Sequence, residues 1–98
     1  MASRADLERL VDTLAQAAAI LAYSGGPARR LTAVRTLLQA FGNEDMPTSA
    51  ARDLWIEIAQ SMLRLGGGAA TSVELHGLDE QIGRLRDVIH AHLGHPAG

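Results

Sequence analysis

Residues 50–65, AARDLWIEIAQSMLRL, decide how the rest of the chain is read. Trp55, Ile58, Met62 and Leu65 recur at steps of three, four and three, which places their side chains on one stripe of an α-helix. Ala51 and Leu54 widen that stripe towards what a buried helix of a compact bundle requires. Asp53 and Glu57 come early and Arg64 late, the order favoured by the helix dipole. Thr48 or Ser49 supplies the amino-terminal cap, and Gly66-Gly67-Gly68 ends the helix.

The same spacing appears on both sides of this stretch. Leu7, Leu10, Leu14, Ala17 and Leu21 form a three-four seam in a first helix from Arg4 to about Tyr23, with Ser3 as cap and Asp6 three residues on. Ser24-Gly25-Gly26-Pro27 is a turn too short for anything but antiparallel neighbours. Leu31, Val34, Leu38 and Phe41 continue the pattern in a second helix closed by Gly42, and the polar segment 42–47 is the expected flexible connection. Leu75, Leu78, Ile82, Leu85 and Ile89, broadened by Val88 and Leu93, make the last seam. Thr71 to Glu74 has capping-box spacing, but Gly77 argues for a break. The pattern favours a short turn followed by a main helix from about Leu78 to Leu93, with Glu80 and Arg84 as an i,i+4 ion pair. No stretch alternates with period two. The expectation is an all-α fold: a single domain, residues 1–98, forming a small antiparallel helical bundle of about four helices.

Composition agrees. With 47% hydrophobic and 20% charged residues the chain is globular, and with 3% aromatic residues its core must be aliphatic, which suits packed helices. There is no cysteine, hence no disulfide or thiolate chemistry, a usage that fits the cytosol best. Asp6, Glu8 and Asp12 interrupt what would otherwise resemble an export signal. The densest apolar run, Leu14 to Ala22, is far shorter than the ~20 residues of a membrane span, so a soluble cytoplasmic protein is expected. A net charge of −2 argues against general nucleic-acid binding. All nine basic residues are arginine, which reflects the base composition of the source genome more than function.

Chemistry is harder to find. His90, His92 and His95 cluster near the carboxyl end, with His76 earlier in the segment, and could hold Zn²⁺ or Ni²⁺. His90 and His92, however, lie roughly 200° apart around a helix, and histidines near a helix carboxyl end are favourable for dipole reasons alone. The loop from Gly66 to Ser72 resembles a phosphate cradle but lacks the lysine and the preceding strand of a P-loop. Neither metal nor cofactor is implied, and no HExxH, GxSxG or paired carboxylates on an apolar face point to catalysis.

Two features suggest binding. The second half of the first helix, LAQAAAILA, is apolar nearly all round, with Ala15, Ala18, Ala19 and Ala22 lining a second face. Such a helix is either central in the monomer or part of a subunit interface. Arg29 and Arg30, followed by Arg35, stand where the dipole of the second helix disfavours positive charge. They serve either an acidic partner or the last carbonyls of the antiparallel first helix. The function expected is therefore a non-enzymatic protein–protein interaction module (a small adaptor, inhibitor or regulatory subunit) that binds another protein or itself as a homodimer. Its contacts are Ala15, Ala18, Ala19, Ala22, Arg29 and Arg30. A nucleic-acid-binding regulator using Arg29, Arg30 and Arg35 is the alternative, and a metal or small-ligand binding bundle the third reading.

Overall fold

The computed structural model describes residues 3–23, 26–66 and 71–94. Four helices carry the chain: α1 (Arg4–Ala22), α2 (Pro27–Leu38), α3 (Ser49–Gly66) and α4 (Ser72–His92). α1 packs against α2 and α4, and α3 against α4 and, less extensively, α2, giving the expected antiparallel bundle. Each seam read from the spacing faces the core. Leu7, Leu10, Leu14, Ala17 and Leu21 of α1 are buried, as are Leu75, Leu78, Ile82, Leu85 and Ile89 of α4. Trp55, Ile58, Met62 and Leu65 of α3 meet them, with Ala51 fully buried at the start of that helix.

The helix starts follow from local hydrogen bonding. The Asp6 N–H donates to Ser3 Oγ and the Ser3 N–H to the Asp6 carboxylate, both at 3.2 Å, a reciprocal box that satisfies two orphan donors. That contact with the Ser3 N–H, then the Ser3 hydroxyl and Arg9, holds the Asp6 carboxyl below its ordinary value of 3.8. A depressed carboxyl stabilises the fold above its unfolded pKa, and the contribution is lost as pH falls through the folded value, so this cap is unaffected near neutrality. Thr48, not Ser49, caps α3: its hydroxyl accepts from the Ala51 N–H at 3.1 Å.

Two expectations are corrected, the start of the last helix and the end of the second. α4 is one continuous helix from Ser72, not a turn followed by a helix from Leu78. The Thr71–Glu74 box is complete, with Glu74 N–H to Thr71 Oγ1 at 3.2 Å and Thr71 N–H to Glu74 Oε1 at 3.0 Å. The burial of Leu75 and Leu78 on one stripe then outweighs the roughly 1 kcal/mol that glycine costs inside a helix. α2 ends at Leu38, three residues before Phe41. The Phe41 N–H bonds to the Leu38 carbonyl at 3.2 Å, so the chain turns and Phe41 reaches the core from outside the helix. The connection expected to be flexible holds a 3-10 turn, Asn43–Asp45, closed by the Asp45 carboxylate accepting from the Gly42 N–H at 2.8 Å. It carries Met46 into the core at 5% exposure.

A prediction follows for Gly77. A Cβ at this position meets nothing within 4 Å, and its backbone is helical. Gly77→Ala is expected to stabilise the protein by about 0.5–1 kcal/mol, read as a rise in thermal midpoint. A lowered midpoint would mean that the helix breaks there.

Candidate functional site

Three arginines contact carbonyls at or near helix ends. The last carbonyls of a helix lack intrahelical donors and carry the negative end of its dipole. In an antiparallel bundle they lie beside the first turns of neighbours. Arg30 Nη1 donates to the Leu21 carbonyl at 2.8 Å, closing α1 from the first turn of α2. Arg4 Nη1 donates to the Leu93 carbonyl at 3.2 Å and closes α4. Arg35 Nη2 lies 3.4 Å from the Met62 carbonyl near the end of α3, against Gly66. Two of the three cations singled out in the sequence, Arg30 and Arg35, thus bind carbonyls of neighbouring helices. Arg29 stands exposed beside the same end of α1. Arg30 Nε is buried without a hydrogen-bond partner, so its contribution is the Nη1 contact and the charge.

The alanines separate by face. Ala17 is fully buried, Ala18 is half-buried, and Ala15, Ala19 and Ala22 are exposed. The exposed three follow one another at steps of four and three, one stripe along the last two turns of α1. Tyr23, 70% exposed, stands just beyond them. The fold therefore covers Leu14, Ala17 and Leu21 and leaves outside an uncharged stripe of small side chains. Nearer the amino end, Arg4, Glu8 and Asp12 put charge on the same outward side.

Among the described residues the histidines do not come together as ligands, and no three His, Asp or Glu side chains converge as a metal site. His90 and His92 are exposed near the end of α4, His76 pairs with Glu80 at 3.1 Å, and His95 lies outside the described residues. That pair replaces the expected Glu80–Arg84 contact: both are i,i+4 neighbours of Glu80, and the carboxylate turns to the earlier one. The glycines of the proposed phosphate loop after Gly66, like Ser24 and Gly25 of the first turn, also lie outside the described residues. Among the described residues no helix is long and apolar enough to cross a membrane.

Sequence reasoning missed one polar group. Ser61 is buried at 5% exposure, on the side of α3 that meets α4, and it opens on a surface groove of about 240 Å³. Its place three residues after Ile58 was the only signal, since that step lies on the edge of the apolar stripe. Comparison of the chain with family models, with curated proteins and with solved structures found no match.

Proposed function

We propose that this chain is a non-enzymatic helical interaction module, a cytoplasmic adaptor, inhibitor or regulatory subunit, and that it pairs with a second copy through α1. The observation that carries this reading is the exposed stripe of Ala15, Ala19 and Ala22, with Ala18 at its edge and Tyr23 at its end. Alanine side chains lose no rotamer entropy when covered, and their size lets two helix backbones approach to the short end of the usual 8–10 Å range. A helix face repeated in two copies is self-complementary under two-fold symmetry, the commonest arrangement of soluble oligomers. Arg29 and Arg30 put positive charge at the carboxyl end of α1, where they serve as a polar rim and leave the apolar centre undisturbed.

The test is substitution at the centre of the stripe. Ala19→Glu places a charge where a partner helix would lie, but in open solvent for the lone chain. We expect the molar mass in solution to fall to that of one chain with helical circular dichroism retained, and Ala18→Glu to act in the same direction. An unchanged mass with intact helicity would overturn the interface.

A further inference from the structure

The groove between the last turns of α3 and the first turns of α4 has a chemical character of its own. Ser61, Arg64 and Leu65 line it from α3, and Glu74, Gly77, Gln81 and Arg84 from α4, with Leu78 and Glu80 completing the wall. The groove stays open at Gly77, where a side chain would find free space. Ser61 is 95% buried by its surroundings, at 5% exposure, yet its hydroxyl makes no hydrogen bond among the described residues. The two guanidinium groups are equally uncommitted: neither Arg64 nor Arg84 has a hydrogen bond or ion pair among the described residues. Both acids of the groove are engaged. Glu74 Oε1 accepts from the Thr71 N–H and hydroxyl at 3.0 Å, and Glu80 is paired with His76.

We infer that this groove receives a carboxylate: the acidic side chain of a glutamate or aspartate on a partner protein. A carboxylate matches the planar guanidinium fork and accepts from a hydroxyl and an amide besides, the donors that Arg64, Arg84, Ser61 and Gln81 supply. A phosphate group fits less well, because its second charge would face Glu74 and Glu80. The groove lies open on the surface, so an acidic side chain presented by a partner's surface can reach it. Val73, 82% exposed, lies one helical turn before Gly77 on the same side of α4 and offers apolar contact to residues flanking the acid. The inference rests on the reading of the chain as an interaction module for the source of the carboxylate, but not on its self-association.

The experiment is a titration of the isotopically labelled full chain, followed by nuclear magnetic resonance. The probe is a capped glutamate, N-acetyl-glutamate amide, run against the matched capped glutamine and against acetate and inorganic phosphate at equal ionic strength. Saturating shifts confined to Ser61, Arg64, Gly77, Gln81 and Arg84 are expected with the glutamate probe and not with glutamine. Acetate is expected to bind more weakly, for want of the methylene contacts. Arg64→Gln and Arg84→Gln are each expected to weaken binding about tenfold or more, while Arg52→Gln, on another face of α3, leaves it unchanged. Shifts that are linear in concentration, or the same with glutamine, would overturn the site. Acetate binding as tightly as the capped glutamate, or phosphate binding in its place, would overturn the assignment to a protein side chain. Because the readout does not depend on chain mass, its failure is separable from failure of the α1 interface.

Discussion

Replacing Leu14 with alanine is expected to cost about 2–5 kcal/mol of folding stability. Leu14 has no exposed surface and sits midway along α1, the helix that borders both α2 and α4. Its removal loses the transfer energy of the side chain. It also leaves a void that the surrounding helices can close only by moving together, which their other side chains resist. Domains of this size have about 5–15 kcal/mol in total, so the loss is a large share of the whole. The thermal midpoint is expected to fall by about 10 °C or more, measured by circular dichroism. Leu63→Ala is the matched control. Leu63 is 75% exposed on α3, and its truncation is expected to stay within about 0.5 kcal/mol of the parent. Equal midpoints for Leu14→Ala and the parent would mean that α1 packs by another face.

Ala17→Glu is expected to be as damaging, and it separates the two faces of the alanine-rich helix. Ala17 is fully buried between Leu14 and Leu21 on the core stripe, and the core offers no arginine to pair a carboxylate there. A glutamate at that position must either bury an unpaired charge, at several kcal/mol, or take up its proton and still overpack the site. We expect a chain that is largely unfolded or expanded at neutral pH. Two residues later the same substitution, Ala19→Glu, points to solvent and is expected to leave the lone chain folded. Similar loss of helicity in both variants would contradict the placement of the core stripe on α1.

The helical periods were legible because burial is contiguous on a helix. Three-four steps of leucine and isoleucine state which side of α1, α3 and α4 faces inward, and each residue of those seams is buried. Positions where a local preference competes with packing were not legible. Gly77 disfavours helix, yet the cap at Thr71 and the inward-facing Leu75 and Leu78 hold the backbone in it. Phe41 sits at the right spacing to extend α2, but an apolar side chain can also reach the core from a turn, and spacing does not distinguish the two. Met46 was invisible for a related reason: a lone methionine in a polar segment has no period. The arginine caps were half legible. A misplaced positive charge in the first turn of α2 suggested the end of α1 as partner, which Arg30 bears out, whereas Arg4 on Leu93 joins residues from opposite ends of the chain. The α3–α4 groove was beyond reach for the same reason, because Arg64 and Arg84 line one groove only once the two helices are packed.

The most direct measurement is the molar mass of the unmodified chain in solution, by light scattering across a dilution series. Self-association through the α1 stripe predicts twice the 10.4 kDa chain mass, falling towards one chain mass only on strong dilution. A mass of one chain at every concentration would contradict it.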